Sequence, residues 1–253
     1  MIKKEIRPGV IQLTLDEERW YFINDVPFPS VTWILNYFPK GIGFDIYLAE
    51  KVHSWEQAKQ VLREAGEQGA RLHWGMEQYL SGNPLRIDDH PANSPYPFSA
   101  KEWQMILAGV SWVDKYKPTI LSIEESVFGC DYAGTVDLVY KDFVTGEKKI
   151  LDWKHGKYMY ANQKAQQAAY VKAMRLNGIE VDGFDIIRLG SKHKVGYEWF
   201  ESKEEDIKYY YHLFRCAMRF WKDENPKPAP KIIEVPEGLN LEVEPEPATD
   251  GEI

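Results

Sequence analysis

Two cysteines in 253 residues, Cys130 and Cys216, are too few and too far apart for a thiolate metal centre. Neither has a C-x-x-C companion, so a structural zinc ion has no ligand set, and a four-cysteine iron–sulfur cluster is excluded by count. Two free thiols in a reducing cytoplasm are expected. Long apolar runs are missing as well. None approaches the ~20 residues of a membrane-spanning helix. The opening Met-Ile-Lys-Lys-Glu-Ile-Arg carries basic charge with no apolar stretch behind it, which predicts no signal peptide and no membrane partner.

Positive charge is also scarce, with a net charge of −8. At first sight this argues against a polyanionic partner. Its distribution changes that reading. Residues 232–253 hold seven acids and no base, and without them residues 1–231 stand at −1. A nearly neutral body can carry a local basic groove, although not a broad basic surface. Hydrophobic content of 44% and charged content of 28% are those of a soluble globular protein.

Periodicity and punctuation set out the elements. Residues 10–14 and 19–24 read as strands around a turn. Ser30 caps a short helix over 31–37, ended by the FPKGIG segment. A helix is expected from Ser54 to about Leu80, with a break conceivable at Gly66 or Gly69. A loop covers 85–98, and Ser99 caps a helix over 99–116. After Pro118 come strands at 120–128, 133–140 and 148–153, a helix at 161–176, strands at 184–189 and 196–200, and a closing helix at 204–222. This order predicts a single α/β domain over residues 1–224, mostly helical over 1–117 with its core in 118–224. The acidic, Pro/Glu-rich tail at 225–253 is expected to be largely disordered.

The most informative segment is ESVFGCDYAGTVDLVYKDFVTGEKKILDWK, residues 125–154. If residues 133–140 and 148–154 fold back around Val144 and Thr145, opposed residue numbers sum to 289 and Asp137 faces Asp152. Directly opposed Cβ atoms lie ~4.5–5.5 Å apart, close enough for two carboxylates to share one cation. Lys154 projects from the same face, ~6.6 Å beyond Asp152. A lone D-x-K at a strand end means little. An Asp opposite another Asp, between Val136 and Leu138, costs stability unless a cation or a proton intervenes. Mg²⁺ or Mn²⁺ meets that demand with oxygen ligands. It also makes a coordinated water easier to deprotonate, beside a lysine able to stabilise charge on a phosphate. Phosphodiester hydrolysis is the reaction that fits.

These residues resemble a known family. Gly134-Thr135-Val136-Asp137, then Asp152-Trp153-Lys154, then QQAAY over 166–170, look like the PD-(D/E)XK nuclease superfamily. Within it they resemble the branch of RecB-type domains, Cas4-like exonucleases, mitochondrial genome-maintenance exonucleases and phage exonucleases. An upstream helix with G-x-x-x-H appears as Gly69 to His73, with Glu77 one turn on, and PSVTWIL at 29–35 is similar to the start of phage members. The motifs occur in family order over roughly residues 29–200. Val136-Asp137 stands where Pro-Asp is common, and the iron–sulfur cysteines of typical Cas4 proteins are absent.

The resemblance implies a restriction-endonuclease-like fold, with a central mixed sheet flanked by helices and helical additions at the N-terminus. It implies a divalent-metal-dependent DNA exonuclease acting in phage or bacterial recombination, repair or end processing. Asp137, Asp152, His73 and the backbone carbonyl of Trp153 would hold the metal. Lys154 would be catalytic, and Gln166 and Tyr170 would line the site. An endonuclease on the same core and a non-catalytic DNA-binding subunit are the alternatives. Partners would be single-stranded DNA or duplex ends, with a homo-oligomer or a recombination protein allowed, in the cytoplasm of a bacterium or a phage-infected host.

Other positions stay open in the sequence. Glu124 falls opposite Asp137 if the preceding turn closes symmetrically, whereas strand alternation turns Glu125 inward, which favours Glu125 as a further metal or water ligand. Gln163, Gln166, Gln167 and Tyr170 form one polar stripe that a solvated face would equally explain. Lys157, Lys164, Lys172, Arg175, Arg188, Lys192 and Lys194 are candidates for DNA contact, as are Trp74, Trp153, Tyr158 and Tyr160 for stacking on bases.

Overall fold

In the computed structural model the described residues are 2–230, apart from 16–17, 40–53, 92–93, 191 and 193. The sequence expectations for FPKGIG beyond Pro39, for part of SKHK and for the tail beyond Pro230 therefore lie outside them.

Residues 2–29 form an antiparallel meander of β1 (Ile2–Arg7), β2 (Val10–Leu15), β3 (Glu18–Ile23) and β4 (Val26–Pro29) in sequential order. The inner strands carry the apolar alternation that announced them. The outer strands do not: β1 is mostly charged and β4 holds two prolines, which an edge strand tolerates because its outer N–H groups need no partner. The N-terminal additions are thus a four-stranded sheet as well as helices.

The Ser30 hydroxyl accepts the Trp33 N–H at 3.0 Å and starts α1 (Val31–Ile34), which tightens into a 3₁₀ turn over Leu35–Tyr37. The long helix α2 (Trp55–Leu80) runs unbroken through Gly66 and Gly69, with Ser54 as its cap. Helix α3 (Ala100–Tyr116) opens on a reciprocal cap between Ser99 and Glu102.

The main sheet has order β5 (Thr119–Phe128), β6 (Ala133–Lys141), β7 (Lys148–Lys154), β8 (Gly183–Leu189), β9 (Tyr197–Glu201). All neighbours are antiparallel except β7 and β8, which run parallel and are joined through α4 (Ala161–Leu176). Helix α5 (Glu204–Glu224) closes the fold. This is a mixed α/β sheet flanked by helices, as expected.

Two apolar layers clamp it. On one face Leu72 and Met76 of α2 and Ile106 and Trp112 of α3 pack on Leu138, Tyr140, Leu151 and Trp153. On the other, Phe214 and Trp221 of α5 and Ala165, Ala168, Ala169 and Ala173 of α4 cover Val139, Ile150, Phe184 and Ile186. The alanines let α4 lie close on the sheet, which places its polar residues beside the end of β7. With both faces covered, β7 and β8 are almost wholly buried, the normal state of inner parallel strands. Among the described residues no helix is long and apolar enough to cross a membrane.

Candidate functional site

The β6–β7 hairpin has the counted register: Leu138 pairs Leu151, Val139 pairs Ile150 and Tyr140 pairs Lys149. One step further along the same register, Asp137 meets Asp152. Helix α2 brings His73 to them. Ligand atoms of His73, Asp137 and Asp152 all lie within 4.8 Å of one another. His73 Nδ1 is 2.9 Å from Asp137 Oδ2, which also accepts the Trp153 N–H at 3.0 Å. Lys154 Nζ donates to Asp152 Oδ1 at 3.0 Å and lies 2.7 Å from the buried Oδ2, so the ammonium spans both oxygens of the carboxylate.

The electrostatics follow from this crowding. Burial pushes the Asp152 carboxyl up to about 7; Lys154 opposes the rise and Asp137 adds to it. Burial also works against ionisation of Asp137, but His73, Lys154 and the Trp153 N–H outweigh it and hold its carboxyl below the usual range. Burial disfavours the His73 cation, yet the adjoining Asp137 carboxylate raises its pKa overall. A buried acid beside a second acid and an imidazole is a donor set suited to a hard divalent cation.

Two attachments fix His73. Arg71, half a turn earlier, donates from Nε to Glu102 Oε1 at 2.8 Å, and the other Glu102 oxygen accepts the Ser99 N–H and hydroxyl. Burial would raise the Glu102 carboxyl, but the Ser99 and Arg71 hydrogen bonds hold it low. The second attachment is at Gly69. A Cβ there would stand 3.0 Å from His155 Nε2, and His155 is hydrogen-bonded to the Ala65 carbonyl. The glycine of G-x-x-x-H thus opens the helix surface to the residue after Lys154. Nothing in the sequence marked His155.

Glu124 is the acid of β5 that joins the site. The ladder pairs Ile123 with Leu138 and Glu125 with Val136, so Glu124 is bracketed opposite Asp137. Its φ of +52° is left-handed, within a strand. Such a conformation costs a β-residue ~1–3 kcal/mol and re-aims its side chain. Burial, then Asp137 and Glu77, push its carboxyl up to about 7, against His73 and Lys4. Glu125, favoured from alternation, is half-buried on the register of Val136.

The α4 stripe divides. Gln166 Nε2 donates to the Tyr170 hydroxyl at 3.0 Å. Burial raises the Tyr170 pKa, and the charges of Asp152 and Asp137 add to that, which puts this pair beside the acids. Gln163 instead caps α4 by accepting the Tyr160 N–H, and Gln167 is buried. The Trp153 side chain belongs to the core against Trp112 and is not available for stacking, whereas half-buried Trp74 packs on Phe98. The N-terminal sheet borders the same region, since the Tyr21 and Thr135 hydroxyls are 3.1 Å apart.

No family model matches the chain, and no curated protein matches it. Solved structures do. A candidate exonuclease from Eubacterium rectale is similar with a TM-score of 0.44 at 14% identity, covering 70% of this chain and 77% of that one. The alkaline exonuclease LHK-Exo from Laribacter hongkongensis is similar with a TM-score of 0.34 at 8% identity, covering 78% and 93%. Its complex with dAMP gives a TM-score of 0.29 at 8% identity, covering 62% and 84%.

Proposed function

We propose that the chain is a divalent-metal-dependent deoxyribonuclease, acting as an exonuclease on DNA ends in recombination, repair or end processing in a bacterium or phage. The observation that carries this reading is the convergence of His73, Asp137 and Asp152 within one ion's reach, with Lys154 bonded to Asp152. His73, Asp137 and Asp152 would hold Mg²⁺ or Mn²⁺, with the Trp153 carbonyl as a further ligand. When bound, the ion supplies neutralising charge between the acids and Lewis acidity toward a phosphoryl oxygen.

The chain's own groups supply the rest. The Trp153 N–H and His73 fix the Asp137 carboxylate, so that its geometry is set before substrate arrives. Asp152 holds the Lys154 ammonium at the end of β7, where it can donate to a phosphate oxygen and offset the charge that develops there. The Gln166–Tyr170 pair keeps a hydrogen-bonding edge on the same side.

End-labelled single- and double-stranded DNA, incubated with and without Mg²⁺ or Mn²⁺, tests the reading. Metal-dependent release of terminal mononucleotides or short oligomers is expected, and Asp152→Ala and Lys154→Ala abolish it in soluble protein. Cuts inside closed circular DNA would transfer the assignment to an endonuclease. Binding without cleavage under any metal would make the chain a DNA-binding subunit, and full activity in either variant would refute the site.

A further inference from the structure

The seven basic residues that follow β7 in sequence are not equally available. Lys164 Nζ lies over the Phe200 ring at 3.8 Å, and Lys172 Nζ stands 5.9 Å from the Tyr211 ring centre. Arg175 bonds Glu204 and the carbonyls of Val181 and Asp182. Arg188 is held by Glu198 and by the Gly156 carbonyl. Of the seven, only Lys157, Lys192 and Lys194 have no anionic partner and no aromatic ring from another element, among the described residues. Two of these three, Lys157 and Lys192, line one cavity of about 400 Å³, together with Gly156, Tyr158, Arg188 and Gly190.

The position of this cavity is set by the parallel pair. Arg188 is in register with Lys154, so the cavity begins at the carboxyl ends of β7 and β8, within a few residues of the reaction centre. Gly156 turns the chain there with a φ of +112°, which a side chain would oppose, and its carbonyl accepts Arg188 Nη1 at 2.9 Å. Because Glu198 neutralises Arg188, that guanidinium builds the wall and the two lysines supply the net charge. Beside them Tyr158 and Tyr160 are 54% and 51% exposed, their rings 81° apart in plane. The Lys157 ammonium sits 5.1 Å from the Tyr158 ring centre. A free phosphate would need only the lysines; half-exposed aromatic rings next to them suit a base attached to that phosphate.

We infer that this cavity is a nucleotide subsite. It seats a phosphate adjoining the scissile one on Lys157 and Lys192, and the attached base against Tyr158. The assignment rests on the nuclease reading and adds to it where the neighbouring nucleotide lies.

The test compares wild type with Lys157→Ala/Lys192→Ala, its Lys157→Arg/Lys192→Arg counterpart, and Tyr158→Leu. Binding of a fluorescent single-stranded oligonucleotide is followed by anisotropy in EDTA across a salt series, and steady-state cleavage in Mg²⁺. For the double alanine variant the slope of log K against log salt falls by roughly 0.7, since the one single-strand phosphate seated on the two lysines contributes ~0.7. KM rises about tenfold and outweighs any fall in kcat, the arginine variant keeps the wild-type slope, and Tyr158→Leu weakens binding by about tenfold with its slope unchanged. An unchanged KM and salt slope in a folded, cleaving double alanine variant overturns the subsite alone. A wild type that neither binds nor cuts the oligonucleotide with any metal overturns the nuclease reading, and the subsite with it.

Discussion

Gly134 stands three residues before Asp137, and its replacement by alanine tests how the site is packed. A Cβ at this position would lie 2.7 Å from both Cζ and Oη of Tyr170, and nearer still to Cε1, where ordinary contact begins at 3.4 Å. Tyr170 is 3% exposed, between α4 and the sheet, so its ring cannot step aside without moving its neighbours. Overpacking of this kind costs ~1–3 kcal/mol. Displacing the hydroxyl from Gln166 adds ~0.5–1.5 kcal/mol. Alanine returns ~0.5–1 kcal/mol of backbone entropy. The expected net loss for Gly134→Ala is therefore roughly 1–3 kcal/mol, read from urea midpoints at constant m. Tyr170→Leu removes the ring, so in that background Gly134→Ala should become nearly neutral, a coupling of at least ~1 kcal/mol between the two sites. Metal-dependent cleavage by Gly134→Ala should fall with the displacement of Tyr170 from the acids. If Gly134→Ala costs the same in both backgrounds, the ring does not set the requirement for glycine and the reasoning fails.

Three further outcomes can be checked. Gly69→Ala gains up to ~1 kcal/mol of helix propensity but presses on His155, so urea melts should stay near wild type while cleavage drops several-fold. Asp185 is fully buried, and burial raises its carboxyl to about 6 despite the Tyr140 hydroxyl and Lys149. A folded pKa above the unfolded one favours the native state below about pH 4, and that advantage is lost as pH rises through 6. It amounts to about 3 kcal/mol, and Asp185→Asn should flatten the pH dependence of the urea midpoint over this window. Divalent metal at 100 times its Kd should add about 2.7 kcal/mol of stability, reversed by EDTA. Asp152→Asn, which removes one ligand charge, should shrink that increment in thermal melts.

The β6–β7 hairpin was legible because its turn is local. Asp142 Oδ1 accepts the N–H groups of Val144 and Thr145, and Gly146 takes a positive φ, so the loop closes where counting placed it and the 289 register follows. The caps at Ser30 and Ser99 were legible for the same reason, each being a side chain bonding three residues ahead. Glu124 was legible only as one of two alternatives: symmetric closure of the β5–β6 turn set it opposite Asp137, while alternation, which assumes extended backbone at every strand position, favoured Glu125. Strands β1 and β4 lack apolar alternation and exist through β2 and β3. The approach of Tyr21 to Thr135, 114 residues apart, leaves no local trace.

The three acids at the site, Asp137, Asp152 and Glu124, are held in different ways, and the difference bears on what the site requires. Asp137 has both its charge and its direction satisfied within the protein, by the His73 imidazole and the Trp153 N–H. Asp152 is paired with Lys154 through both oxygens, yet burial still pushes its carboxyl up to about 7. Glu124 adds a third acid on a strained backbone. A purely structural cluster would be relieved by any substitution that removed Asp152 or Glu124. The surrounding fold instead holds the cluster rigid, with apolar layers on both faces of β7 and α2 locked through Arg71 and Glu102. Stability is thus given up at one end of the sheet and recovered in its core, which is the arrangement expected where a cation and a phosphate complete the charge balance.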